Sequence, residues 1–113
     1  MIIDKFDRNE NPDWDPDLLV EVTFTEKVVV VKNGYRPNYK VNGDYLTSTH
    51  HWFIETGKAE PNQPTKAFVK LITPEAYPHC LDKGMVIEVG EGSRKIGTAK
   101  VIEIYNVQLQ KNT

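Results

Sequence analysis

The chain is poor in the residues that make metal sites, disulfides and membrane spans. Of its 113 residues one is cysteine, Cys80, so no internal disulfide can form, and three are histidine. A lone cysteine and the lack of an apolar h-region after Met1 set the cytoplasm as the expected compartment. No run approaches the roughly 18 apolar residues of a membrane helix, so no membrane partner is expected. There is no Gly-x-x-x-x-Gly-Lys-Ser/Thr loop to cradle a nucleotide and no Gly-x-Ser-x-Gly elbow to expose a nucleophile. The expectation is a protein that is not an enzyme, with no catalytic residue and no nucleotide ligand. His50, His51, His79 and Cys80 are the only soft ligands. Neighbouring residues on a strand point to opposite faces, so His50 and His51 cannot share an ion without a bulge, and no metal or other cofactor is expected. A formal charge of -2 argues against a strongly basic nucleic-acid protein and leaves room only for a local basic patch.

What is present is β-structure. A chain of this length is expected to form one domain that buries roughly two-thirds of its unfolded surface. In Leu18-Leu19-Val20-Glu21-Val22-Thr23-Phe24-Thr25 the even positions are apolar, while Glu21, Thr23 and Thr25 face the other way. The same period of two runs through Lys66 to Leu71, Met85 to Val89 and Ile96 to Tyr105. Val28 to Val31 is a continuous apolar run, read as a strand buried on both faces or a ribbon crossing the core edge. Turn signals separate these segments at Asn33-Gly34, Asn42-Gly43, Glu60 to Pro64 and Gly90 to Ser93. Leu81-Asp82-Lys83-Gly84 offers one helical turn at most. Six or seven short strands imply an all-β fold, a small closed antiparallel barrel with Greek-key-like connections.

The charge is distributed unevenly. Residues 1–17 hold six acids against Lys5 and Arg8, a local -4, which leaves the rest at +2. With Pro12 and Pro16 this reads as an acidic arm over 1–17, its apolar Ile2, Ile3, Phe6 and Trp14 too many for a purely solvated tail. The barrel is assigned to 18–107 and a frayed end to 108–113.

Two stretches stand out. In Gly34-Tyr35-Arg36-Pro37-Asn38-Tyr39, proline suits only the start or edge of a strand. Tyr35 and Tyr39 then share a face and Arg36 takes the opposite one. In Gly90-Glu91-Gly92-Ser93-Arg94-Lys95-Ile96-Gly97, Gly92 permits positive φ at the turn. Gly97, inside a strand, marks a bend or a close backbone approach. Arg94 and Lys95 beside that turn are suited to phosphate. Cys80 reads as a small half-buried hydrophobe, and His51-Trp52-Phe53 as core packing or an exposed aromatic ledge.

These stretches, with Leu71-Ile72-Thr73-Pro74 between them, occur in an order and spacing similar to the C-terminal, third-domain β-barrel of elongation factor Tu and related translational GTPases. The resemblance runs from about Leu18 to Asn106. It implies a barrel of that type that binds the T-stem backbone of aminoacyl-tRNA and meets other translation proteins. By resemblance, Arg36 and Asn38 match the family's Arg and Gln after its Gly-Tyr, Thr47 matches the threonine of its Val-Thr-Gly turn, and Glu91, Gly92 and Arg94 match its hairpin. All six are the expected RNA contacts. Arginine, amides, hydroxyls and one carboxylate accepting from a 2′-hydroxyl suit stem recognition.

There are departures from the family pattern. Val41-Asn42-Gly43-Asp44 replaces a segment that carries an arginine, Thr73 stands where a lysine is common, and Asn38 is shorter than glutamine. Each lost phosphate contact removes about one released counterion from the binding. The chain carries no GTPase domain, so the resemblance implies a binding module rather than a whole factor. Two functions follow: binding of tRNA-like RNA, or a protein-interaction module or decoy that engages partners of the elongation factor. The structural alternative for the same residues is that Arg36 pairs with a carboxylate at the barrel edge and Glu91 caps its own hairpin. The face that meets the other domains in the family needs a cover in water, from the arm or from a second copy in a homodimer.

Overall fold

The structure, a computed structural model, describes residues 16–25, 29–42, 45–92 and 94–111, with the backbone alone for Asn42 and Tyr45. The strands are β1 (Leu18–Phe24), β2 (Val31–Lys32), β3 (Asn38–Asn42), β4 (Tyr45–Phe53), β5 (Lys58–Ala59), β6 (Thr65–Leu71), β7 (Val86–Glu91) and β8 (Arg94–Ile104). Six of them close an antiparallel barrel in the order β1-β6-β4-β3-β7-β8, with β8 returning to β1, and β2 pairs with β5 in a separate short ribbon. The protein is therefore all-β, and closure leaves the barrel no exposed edge to template aggregation. No helix among the described residues is long and apolar enough to cross a membrane.

Alternation decides which face goes inside. On β1, Leu18, Val20, Val22 and Phe24 are buried and the residues between them are half-buried. Ala67, Val69 and Leu71 of β6, Ile87 and Val89 of β7, and Ile96, Ala99 and Val101 of β8 complete an aliphatic lining. A register shift at Leu19/Val20 lets Glu103 face Leu19 and Val101 face Val20. Gly97 lies opposite Phe24 at a close approach of the two strands, where a Cβ would stand 2.3 Å from the Thr23 carbonyl oxygen. Only glycine fits there, as its place inside a strand suggests.

One end of the barrel is tied by Asp17. Its backbone N–H donates to Val69 O (2.8 Å), its Oδ2 accepts from Leu71 N–H (2.8 Å), and its Oδ1 accepts from the Asn106 amide (3.0 Å). Its carbonyl accepts from Tyr105 and Asn106 N–H. Asp17 is buried and belongs to the barrel rather than to an arm, because one carboxylate here joins the starts and ends of β1, β6 and β8. The rest of the expected arm, residues 1–15, with Ile2, Ile3, Phe6 and Trp14, lies outside the described residues.

One other expectation changes. The tail from Gln108 does not fray through Lys111. Leu109 is fully buried in a short helical turn, Val107–Leu109, Gln108 O accepts from His79 N–H, and Lys111 N–H donates to Leu81 O (2.7 Å). An apolar leucine among polar neighbours was enough to anchor it. The valine run is not a buried strand. Of its described residues, Val29 and Val30 are exposed and Val31 is buried opposite Ala59, in the short β2–β5 ribbon at the core edge, which is the second of the two readings. Leu81–Gly84 stays within the expected limit of one helical turn and forms none. Met85 N–H closes back on Asp82 O and Gly84 takes positive φ, while the short helical turns fall at Pro74–Ala76 and Val107–Leu109.

Candidate nucleic-acid interface

The Asn33-Gly34 turn delivers the arginine. Asn33 is buried, its Oδ1 accepts from Phe53 N–H (2.6 Å), and Gly34, at φ 94°, donates its N–H to His51 O. Residues 35–37 then run antiparallel to β4: His51 N–H donates to Tyr35 O, and Thr49 donates to Pro37 O through both its N–H (3.0 Å) and its hydroxyl (2.7 Å). These bonds use the carbonyls of Tyr35 and Pro37, so the missing N–H of Pro37 leaves no partner unmet. Tyr35 and Tyr39 point inward and Arg36 outward, exposed and across from His50.

The interior of β4 holds this segment in place. Thr47, Thr49 and His51 are buried, an unusual lining for a barrel core. His51 Nε2 meets the Tyr39 hydroxyl at 2.6 Å, and among the described residues its Nδ1 has no hydrogen-bond partner. The ring sits among Phe24, Tyr35, Tyr39 and Phe53. Burial pushes His51 down to about 3, offset in part by the Tyr35 carbonyl, and it raises Tyr39. Both are neutral at pH 7. Burial, and next the Arg36 guanidinium, also lower His50.

The outer face of β3, β4 and β6 is basic by omission, since these three strands carry lysine and histidine and no carboxylate. His50 lies opposite Lys70, so Arg36, His50 and Lys70 form one row. One pair further along, Trp52 faces Phe68, which faces Leu19. Below the basic row, Asn38 sits between Ser48 and Gly90. A cleft of about 310 Å³ opens on this face, with Arg36, Ser48, His50, Lys70 and Ile72 on its walls.

The six expected contacts separate here. Arg36 and Asn38 share this face, and Gly92, at φ 58°, and Arg94 border a neighbouring hollow of about 260 Å³ with Lys40 and Lys95. Glu91 is already engaged: its Oε1 accepts from the Tyr35 hydroxyl and its Oε2 lies 3.5 Å from Arg94. That is the hairpin role weighed from sequence, and burial with this bond raises the Tyr35 hydroxyl's pKa. Thr47 departs from expectation. It is 3 % exposed and faces the barrel interior, so its hydroxyl is not on the face that bears Arg36. Among the described residues no carboxylate pairs with Arg36, so the barrel-edge ion pair is absent there. His50, Ser48 and Lys70 were not singled out from sequence, although Lys70 occupies an outward position that the alternation of its strand already marks.

Among the described residues no group of three or more His, Cys, Asp or Glu side chains is placed to hold a metal ion. Neither a protein-family model nor a curated protein matches the chain.

Proposed function

We propose that the protein is a non-enzymatic binding module that takes the phosphate backbone of a folded, tRNA-like RNA on the outer face of β3, β4 and β6. The observation that carries this reading is the Arg36–His50–Lys70 row on strands without a carboxylate, beside Asn38 and Ser48 as neutral hydrogen-bonding groups. Cations fix the backbone, and an amide, a hydroxyl and a neutral imidazole suit 2′-hydroxyls. The glycine hairpin extends the surface with Arg94 and Lys95. The resemblance to the third domain of elongation factor Tu supports the same class of ligand, and with it a cytoplasmic, translation-related setting.

The reading is tested by titrating the full chain with tRNA across a range of salt. Binding that weakens steeply with salt, and that weakens further in Arg36→Ala and Lys70→Ala but not in Lys58→Ala on the short ribbon, is the expected result. Each phosphate contact contributes about 0.7–0.9 to the salt slope. Absence of binding at low salt overturns it.

A second reading is a protein-interaction module. It is favoured by Ile72 and Val107, 69 % and 81 % exposed, which flank the end of the barrel that Asp17 ties. Apolar groups exposed at one end suit a protein partner, including a second copy of the chain, better than RNA. Saturable binding to a translation protein, or dimerisation lost on Ile72→Lys and Val107→Lys with no RNA binding, selects it.

A further inference from the structure

We infer that the cleft of about 310 Å³ beside the cationic row takes one unpaired base of the bound RNA, so that the ligand is a stem carrying a bulged, looped-out or terminal nucleotide. The base site rests on the RNA reading and adds to it what a paired stem does not need. A stem presents phosphates, sugars and the edges of stacked bases. Cations at the surface serve that backbone, whereas an indentation with an apolar side serves the face of a ring.

Three observations give the cleft this occupant. The first is its origin. Ser48 is a small side chain among larger ones: His50 lies two residues along β4, Asn38 lies opposite on β3, and Ile72, just past β6, bonds to Ser48 O through its N–H. The second is the floor, where three backbone donors are already committed. Thr49 N–H goes to Pro37 O, Leu71 N–H to Asp17 Oδ2 and Ile72 N–H to Ser48 O. A floor whose donors are spent receives a ring better than a phosphate. The third is width. Ser48 and Ile72 lie two residues along the chain from His50 and Lys70, roughly 7 Å. Carbon atoms in contact stand about 3.5–4.0 Å apart, so this gap admits one planar ring touched on both faces. Exposed Ile72 supplies the apolar side, and the Arg36 guanidinium supplies a plane of the kind on which unpaired bases stack. Lys70, on the rim, is left for the adjoining phosphate.

The test titrates the full chain with two hairpin RNAs that differ at one unpaired position, adenosine in one and an abasic residue in the other. Their phosphates are equal in number. The adenosine hairpin should bind about fivefold more tightly or better, the contribution of one stacked base. That factor should persist as salt rises, because both hairpins release the same counterions. Ser48→Leu fills the cleft without changing charge and should bring the adenosine hairpin down to the affinity of the abasic one. Ser48→Ala leaves the cleft open and should keep the preference. Ile72→Ser, at an exposed position outside the strands, removes the apolar side without filling the space and should also reduce the preference, so the outcome does not hang on one variant's folding.

Equal affinity of the unaltered chain for the two hairpins overturns the base site and leaves the backbone reading standing. A preference that survives both Ser48→Leu and Ile72→Ser overturns it too, by placing the base elsewhere. If neither hairpin binds at low salt, the RNA reading fails and the base site fails with it.

Discussion

Strands β1 and β4 have the same alternating geometry and opposite interiors. β1 buries Leu18, Val20, Val22 and Phe24, hydrocarbon that needs only to be packed. β4 buries Thr47, Thr49 and His51 ahead of Phe53, polar groups that must each find a partner on leaving water. Two of the side-chain partners come from one neighbouring stretch, the Pro37 carbonyl for the Thr49 hydroxyl and the Tyr39 hydroxyl for His51 Nε2. The Thr47 hydroxyl donates to Ser48 O within β4, and the Tyr35 carbonyl takes the His51 backbone N–H. The polar interior of β4 therefore positions residues 35–39, and positioning them fixes Arg36 on the outside. A core strand of aliphatics holds the barrel closed, whereas this polar one orients a surface.

That contrast can be broken most forcefully from the β1 side. Gly97→Ala forces a methyl against the Thr23 carbonyl at 2.3 Å, backbone that cannot move aside cheaply. Chemical denaturation should show a loss of about 3 kcal/mol or more. A loss below about 1 kcal/mol means the two strands do not approach so closely. Asp17→Ala, at the start of β1, leaves the Leu71 N–H and the Asn106 amide without their acceptor and should cost about 1.5–3 kcal/mol.

On the β4 side, His51→Leu strands the Tyr39 hydroxyl and should cost about 1–3 kcal/mol at pH 7. Adding Tyr39→Phe should return part of that, because a pair removed together leaves nothing unpaired. The same histidine sets a pH dependence. In the unfolded chain it takes a proton near pH 6.5, and in the folded barrel only near 3. Between those values the unfolded state holds the extra proton, so stability present above pH 6.5 is lost as pH falls, by about 1.4 kcal/mol per unit. His50, also lowered, adds in the same direction. His51→Leu should flatten this acid limb, and an unchanged limb would place the titration elsewhere.

The smallest effect on stability belongs to the outer face. Arg36→Ala should alter it by no more than about 0.5 kcal/mol, since the side chain is exposed and has no ion-pair partner among the described residues. Its tRNA salt slope should fall by about 0.7–0.9. Fold and surface are separable across β4 and the segment beside it only if His51 and Arg36 divide in this way.

Legibility from sequence followed the same contrast. The clean alternation of β1, β6, β7 and β8 displayed their inward faces directly, and Gly97 displayed a close approach, because hydrophobic periodicity reports burial when one face is apolar. β4 gave no such signal. Leu46-Thr47-Ser48-Thr49-His50-His51 offers polar residues to both faces, so neither Thr47 as an interior residue nor the row of His50 with Lys70 was visible. Asp17 carried no signal either. One acid among many in an acidic stretch looks solvated, and its burial depends on amides contributed 54 and 89 residues away. Leu109 was hidden for a similar reason, a single apolar residue in a polar tail.

The sequence by itself determined the class and the punctuation: alternating strands, turns where Asn33-Gly34 and Gly92 require them, and an arginine facing away from two tyrosines. These are local consequences of backbone sterics and side-chain period. Only closure of the barrel decided which polar residues went inside and which cations shared a face. Pairing partners are chosen by the whole sheet at once, so Lys70 meets His50 across twenty residues of chain because β6 inserts between β1 and β4.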